Sequence, residues 1–334
     1  MGCPELSSDT IFQILTKITS LRLLDTCKVV SKEWKKMIYE PSFTPIHSDR
    51  TKTKSGYFIQ DIRRNEYVSE FVSYDNDSTL PTGFLPKKAK ILACAANQGI
   101  LCCEKELEKR QCRYYVCIPV TREWRALPNP KTRHRTTAVA MTVLRPQPLR
   151  FRIIRLSPRG LIGPEKKLFG YRIEIFDSEI RAWKEEKEDV VLPYEEFICA
   201  NPALHHIFIA KPVKEEINTG VYRSKHLSEY EGKLGFTCLT EKGDMHLWIM
   251  DDIKIHSWKK EKSANIESLR QVLTHPSPTG FYNSGISFLK GFYEVGFYML
   301  QDQSVRSVKL DKLYDAREVF RFRSDIDPAH LRLV

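Results

Sequence analysis

Few residues of this chain stand at spacings that suit catalysis or metal binding. His205-His206 and Cys102-Cys103 are adjacent pairs. Side chains of neighbouring residues in a strand point to opposite faces, so neither pair is arranged as a chelate or a reactive dithiol. Asp251-Asp252 has the composition of a turn rather than of a carboxylate dyad. We therefore predict no catalytic, cofactor-binding or metal-binding residues.

The short motifs of common enzymes are also missing from the sequence. It contains no G-x-S-x-G nucleophile elbow, no G-x-x-x-x-G-K-[ST] phosphate loop, no H-E-x-x-H and no G-x-G-x-x-G. None of its nine cysteines forms a C-x-x-C pair. The cysteines are therefore predicted to be small, buried and unpaired, as is usual in a reducing compartment.

The charge balance is basic, with a formal net charge of +11. Residues 1–50 hold seven Lys/Arg and six Asp/Glu, so the excess lies beyond them and is scattered. This scatter favours a solvated basic surface over a nucleic-acid site, which needs clustered charge. No apolar run reaches about 18 residues, so no membrane span is predicted. The start of the chain lacks a signal-peptide pattern, so we expect location in the nucleus or cytoplasm.

Helices near the start of the chain could position a functional surface, because apolar residues recur there in three stripes at helical spacing. The stripes are Ile11, Ile14, Leu15 and Ile18; Leu23, Leu24, Cys27 and Val30; and Trp34, Met37 and Ile38. Ser8 and Ser31 are suitable N-caps, and Pro41 ends the third helix. A segment of about 40 residues buries its apolar surface poorly. We therefore expect it to dock on the rest of the chain or on another protein.

The sequence of this segment of about 40 residues resembles that of a known family. LSSD at 6–9, ILTKI at 14–18, LL at 23–24, CKVVSKEW at 27–34 and PSF at 41–43 resemble an F-box. Ser7 and Thr19 replace the two usual prolines of that pattern. The resemblance implies docking on the Skp-type adaptor of an SCF (Skp-cullin-F-box) ubiquitin ligase.

Carried over position by position, the resemblance also implies a set of adaptor contacts. They are Leu6, Ile11, Ile14, Leu15, Leu24, Val30 and Trp34. Each is equally a candidate for the core of the module, Trp34 and Leu24 in particular, because burial and interface use select the same residue types. The other alternative is a helix-turn-helix that presents lysines to DNA.

The remainder of the chain predicts an all-β domain. Residues 47–56 are polar and basic and indicate a linker, and short β-like runs alternate with turn signals after it. A strand–turn–strand pattern recurs before Trp124, Trp183 and Trp258, with a fourth copy near 297–306. Such a repeat favours the blades of a β-propeller, in which the aromatic residue fills the gap between sheets. At 40–45 residues a blade, the length would hold about six blades.

This half of the chain also resembles a known domain. GILCC at 99–103, YYVCIPVTREWRALPNP at 114–130, LSEYEGKLGF at 227–236 and FYNSGISFLKGFYEVGFYML at 281–300 resemble the plant F-box-associated domain, a kelch-like propeller. Ile118 stands where asparagine is usual. The resemblance implies that this domain holds the target of the ligase.

The expected organisation is a three-helix F-box at 1–46, a linker at 47–56 and a propeller at 57–334. The expected function is a non-catalytic substrate-recognition subunit of an SCF ligase. Its partners would be a Skp-type adaptor, a cullin through that adaptor, and a target protein whose identity the sequence leaves open; no cofactor is expected. The rival interpretations are a nucleic-acid-associated regulator and a propeller enzyme with acids, histidines or a metal on one face.

Overall fold

The structure is a computed structural model. It describes residues 6–74, 80–95, 98–107, 112–132, 135–146, 148–162, 168–186, 190–193, 222–252, 257–311, 313, 317–324 and 331.

Four short helices precede the strands, and together they form the helical module, residues 6–51. The helices are α1 (Ser8–Leu15), α2 (Leu21–Val30), α3 (Lys32–Tyr39) and α4 (Phe43–Thr51). The three predicted stripes lie on α1 to α3, except that Ile18 follows the end of α1. Ser7 rather than Ser8 caps α1, because its side chain accepts a hydrogen bond from the backbone amide of Thr10. Ser31 caps α3 as expected.

Twenty strands follow within the described residues, in five sheets that we call blades A to E. Blade A contains β1 (Lys54–Arg63), β2 (Glu66–Val72) and β20 (Glu318–Ser324). Blade B contains β3 (Lys90–Ala95), β4 (Ile100–Glu106), β5 (Cys112–Ile118) and β6 (Glu123–Ala126). Blade C contains β7 (Ala138–Pro146), β8 (Leu149–Ile162), β9 (Leu168–Asp177), β10 (Ala182–Glu185) and β11 (Val190–Pro193). Blade D contains β12 (Tyr222–Tyr230), β13 (Lys233–Thr240), β14 (Asp244–Asp252) and β15 (Ser257–Asn265). Blade E contains β16 (Ser277–Asn283), β17 (Ile286–Lys290), β18 (Glu294–Met299) and β19 (Val305–Lys309).

The blades are arranged around a common axis. Every described strand pair within them is antiparallel, and the strands of blades B, D and E follow one another in chain order. Strand β3 packs on β7, β12 packs on β16, and β20 packs on both β3 and β16. The innermost strands are therefore β20, β3, β7, β12 and β16. This architecture is a five-bladed β-propeller.

The two ends of the chain close the ring in blade A. Strand β20 pairs with β1, with Tyr57 opposite Arg321. The Gln60 side chain then joins blade A to blade B, since it donates to the Ile91 carbonyl at 3.2 Å and accepts from the Ile91 amide at 2.7 Å. Gly99, in the turn before β4, has φ +64, and a Cβ there would collide with the Ser324 side chain.

The cores lie mainly between neighbouring blades. The Phe322 ring of β20 packs edge-on against Phe58 in a cluster that also contains Ile91 of blade B. On the other side of blade A, the Tyr57 ring stacks on Phe288 of blade E with centroids 3.9 Å apart. Burying aromatic faces between blades is what fixes each blade to the next.

The four predicted hairpins are confirmed as the outer hairpins of blades B to E, formed by β5–β6, β9–β10, β14–β15 and β18–β19. Trp183 and Trp258 are buried as expected. The expectation was wrong for Trp124, which is 47% exposed and packs edge-on against Tyr115. Strands β1 to β20 span residues 54–324, so the five blades with their connections take about 54 residues each on average, more than the 40–45 assumed, and the ring has five blades rather than about six.

Residues 47–56, which were predicted to form a linker, instead contain the end of a helix and the start of a strand. Helix α4 extends to Thr51, and β1 begins at Lys54. His47, Ser48, Thr51 and Thr53 are buried. The segment is polar because it packs against polar groups, which hydropathy does not distinguish from exposure to solvent.

Candidate functional site

The helical module has a small core of its own. Leu21, Cys27, Ile38 and Phe43 are buried together. The edge of the Phe12 ring packs on the face of Phe43 at 5.7 Å between centroids. This core fixes the helices relative to one another and determines which apolar side chains remain outside.

The predicted adaptor contacts divide into three groups. Leu6, Ile14 and Val30 are exposed, at 58, 49 and 68%. Ile11 and Trp34 are half-buried against the core of the module. Leu15 and Leu24 are each only 1% exposed. Leu15 and Leu24 therefore belong to the core of the module, which was the alternative to adaptor contact for each of them, whereas Leu6, Ile14 and Val30 lie on its surface.

Sequence reasoning missed two exposed residues on α2. Val29 is 87% exposed and Leu23 is 51% exposed. Leu21, Leu24 and Cys27 occupy the buried side of this helix. The signal for Val29 was the helical period itself, because at 3.6 residues per turn Val29 lies about 140° around the helix from the mean direction of Leu21, Leu24 and Cys27.

The module is fastened to the propeller through the β16–β17 hairpin of blade E. Asn283 donates from its side-chain amide to the Pro41 carbonyl at 2.8 Å, and the Ser284 hydroxyl donates to the Tyr39 carbonyl. A Cβ at Gly285 would lie 2.6 Å from the Pro41 ring, so only glycine fits this contact without movement. These contacts hold the last turn of α3 and the start of α4 on the ring.

His47 forms a second attachment, on α4. Its Nε2 lies 2.7 Å from the Ile18 carbonyl, and its Nδ1 lies 2.9 Å from Nη2 of Arg323 on β20. The neutral tautomer with hydrogen on Nε2 satisfies both contacts. Burial, and then the charge of Arg323, lower the pKa of His47 to about 4, although the Ile18 carbonyl opposes this.

The adjacent cysteine, aspartate and histidine pairs of the sequence lie as follows. Cys102 and Cys103 are fully buried. Burial raises the pKa of the Cys102 thiol, and a hydrogen bond with Cys117 together with burial raises that of Cys103. Asp251 is largely exposed, 3.9 Å from Lys233. His205-His206 lies outside the described residues. Across the described residues no three metal-ligating side chains are grouped, and no helix there has the length and apolar content to cross a membrane.

The chain was compared with known proteins. Residues 205–327 match the family model of the F-box associated β-propeller domain. The F-box protein At5g41720 of Arabidopsis thaliana is 34% identical over 187 residues, which are 52% of this chain and 97% of that protein. The F-box protein At5g49610 of the same plant is 23% identical over 79% of this chain and 80% of its own length.

Among solved structures, apo AztD from Citrobacter koseri covers 81% of this chain and 98% of its own, at 8% identity and a TM-score of 0.36. The sequence relatives carry the assignment, because one of them is matched over nearly its whole length. The chain belongs to the plant F-box proteins with an associated β-propeller domain.

Proposed function

We propose that this protein is the substrate-recognition subunit of an SCF ubiquitin ligase. In this proposal the helical module docks on a Skp-type adaptor, which links it to a cullin, and the propeller holds a target protein. Such a subunit does no covalent chemistry. It acts by raising the effective concentration of the target near the ubiquitin donor.

The supporting observation is a concentration of exposed apolar side chains on the helical module. Five of the twelve large apolar residues that are exposed in the described part of the chain fall within positions 6 to 30. They are Leu6, Ile14, Leu23, Val29 and Val30. Apolar anchors on helices are typical of a surface that a partner protein covers.

The attachment of the module supports the same role. Contacts from Asn283 and Ser284 to α3 and to the turn before α4, and from Arg323 to α4, join the module to the ring. A target held by the propeller would therefore keep a defined position relative to the adaptor. That geometry is what a proximity mechanism requires.

The test is co-expression of the full chain with a plant Skp-type adaptor, followed by measurement of the affinity of the complex. We expect Ile14→Asp and Val29→Asp each to weaken binding at least tenfold, since a charge would face an apolar partner. Ile180→Asp on blade C is the matched control, because Ile180 and Ile14 are both 49% exposed. Unchanged affinity in both module variants, or an equal loss in the control, would contradict the proposal.

A further inference from the structure

A cavity of about 210 Å³ lies on the axis of the propeller. Its wall includes residues of all five innermost strands, together with Tyr57 of β1. The volume equals roughly seven water molecules at liquid density, and it is smaller than the pockets that hold drug-sized ligands. The space therefore suits a small molecule and not a folded segment.

Two hydroxyl groups in this wall have no hydrogen-bond partner among the described residues. They are the phenol of Tyr57 and the hydroxyl of Ser228, whose residues are 2% and 9% exposed. A buried polar group without a partner is unusual in a native protein, and a bound molecule is one way to satisfy it. Gly280 lies beside both groups: a Cβ there would be 3.9 Å from the Tyr57 oxygen and from Ser228 Cβ. The missing side chain of Gly280 leaves room beside the Tyr57 hydroxyl and the Ser228 side chain.

The charged groups of the wall form a loose pair. Nη1 of Arg321 lies 3.8 Å from Oε2 of Glu229, which is too long for a hydrogen bond. This Glu229 oxygen is buried and accepts no hydrogen bond from any residue that the structure describes, whereas Nη2 of Arg321 donates to the Tyr282 carbonyl at 3.2 Å. The charges of Arg321 and Glu229 also act on the Tyr57 hydroxyl. A ligand group that both accepts and donates hydrogen bonds would bridge Arg321 and Glu229.

The cavity as a whole carries no net charge. Arg321 and Glu229 cancel each other. Burial and the positive charge of Lys290 lower the pKa of His226 to about 4, so this wall residue is neutral at pH 7. Val139 and Phe281 add apolar surface. A charged ligand would lose its hydration on entering the cavity and would find no unpaired opposite charge there. The binding of a charged ligand is therefore disfavoured.

We propose that the axial cavity binds a small uncharged organic molecule with an apolar body and at least one hydroxyl or amide group. The polar part of this ligand lies between Arg321 and Glu229 and reaches the hydroxyls of Tyr57 and Ser228. A hydroxyl or a carboxamide fits because each both donates and accepts hydrogen bonds. This inference does not depend on the proposed role in a ligase.

The test compares four probes that share one ring and differ in charge: benzyl alcohol, benzamide, benzoate and benzylammonium. Each is titrated into the full-length protein and followed by ligand-observed NMR. We expect the two neutral probes to bind at least tenfold more tightly than the two ions. Tyr57→Phe, which removes one hydroxyl, and Gly280→Ala, which places a methyl group in the space beside the Tyr57 hydroxyl, should each weaken the binding of the neutral probes about tenfold.

Matched controls separate this effect from a general disturbance of the fold. Tyr298→Phe changes a buried tyrosine outside the cavity, and Gly83→Ala adds a methyl group where no atom lies within 4 Å. Both controls should bind the probes as the native protein does. Equal affinity for all four probes, unchanged affinity in both cavity variants, or a crystal structure with only ordered water on Tyr57 and Ser228 would overturn the proposal.

Discussion

Arg323, on the closing strand β20, lies with its Nη2 atom 2.9 Å from Nδ1 of His47 on helix α4. This contact joins residues that are 276 positions apart in the chain. Arginine can only donate, so the His47 nitrogen must accept and the imidazole must be neutral. This second attachment of the helical module to the ring therefore depends on the protonation state of one histidine.

The first prediction is that acid loosens this attachment. The pKa of His47 is about 4 in the folded protein and about 6.5 when the chain is unfolded. A group whose folded pKa is lowered stabilises the fold fully above pH 6.5, and this contribution is lost as pH falls from about 6.5 towards 4. The shift corresponds to about 3 kcal/mol at most. Urea unfolding between pH 7.5 and 4.5 measures it.

The comparison variant is His47→Gln, which cannot take up a proton. At pH 7.5 it should be less stable than the native protein because its geometry is imperfect. The difference between the two free energies of unfolding should then shrink as pH falls. Parallel pH curves for the two proteins would contradict the assigned role of His47.

The second prediction concerns the buried ion pair of Arg155 and Glu174 in blade C, both side chains of which are 2% exposed. Thr132 donates to the same carboxylate at 2.6 Å, and Arg155 also donates to the Tyr114 hydroxyl at 2.9 Å. Arg155→Met should lower the free energy of unfolding by about 3–5 kcal/mol, since it leaves Glu174 charged and buried. Denaturant titration measures the change.

Blade C also offers an exposed pair as a control. Arg150 and Glu179 lie 2.9 Å apart with side chains 42 and 57% exposed. Arg150→Met should cost less than about 1 kcal/mol. The double variant Arg155→Met/Glu174→Leu should recover much of the loss, because no charge remains buried. A loss of equal size at Arg150 and Arg155 would refute this explanation.

The third prediction is that Gly285→Ala displaces the helical module. The new methyl group would stand 2.6 Å from the Pro41 ring, so either the hairpin or the module must move. We expect faster hydrogen exchange in α3 and α4 than in the native protein, with little change in the blades. Gly83→Ala is the control. Equal protection of α3 and α4 in both variants would show that this contact is not needed.

The fourth prediction is that Phe322→Ala weakens ring closure. Phe322 is fully buried and packs edge-on against Phe58 and Phe71, with centroids 5.1 and 5.7 Å away. Removal of the ring should cost about 3–5 kcal/mol. Phe292→Ala should cost far less, because Phe292 is 38% exposed. Thermal and denaturant unfolding compare the two, and a similar cost at both positions would count against the closing role of β20.

The elements that local patterns encode could be predicted from the sequence. The stripe from Ile11 to Ile18 repeats at helical spacing, and the hairpins before Trp183 and Trp258 combine aromatic and β-branched strands with polar turns. Helix α4 escaped prediction although its buried residues share one face. That face consists of Phe43, Thr44, His47, Ser48 and Thr51. Four of these five are polar, so no hydropathy period marks the helix.

Contacts that span the chain could not be predicted. Nothing near Tyr57 indicates that its strand pairs with Arg321, because the information lies in a segment more than 260 residues away. The difference in exposure between Ile14 and Leu15 also could not be predicted. Both are apolar and adjacent, and only the packing of α1 on the other helices decides which one stays outside. The axial cavity depends on five strands at once, so it has no local signature either.

The pairing of β1 with β20 determines when blade A can be completed during biosynthesis. Strands β1 and β2 leave the ribosome before every other strand of the ring, whereas their partner β20 follows all of them. Until then the long edge of β1 has no neighbour, and an open edge is a template for pairing with other chains. The anchor for His47 arrives with the same late strand. A nascent chain stalled before Glu318 would hold nearly every blade and yet lack both the sealed ring and a fixed helical module.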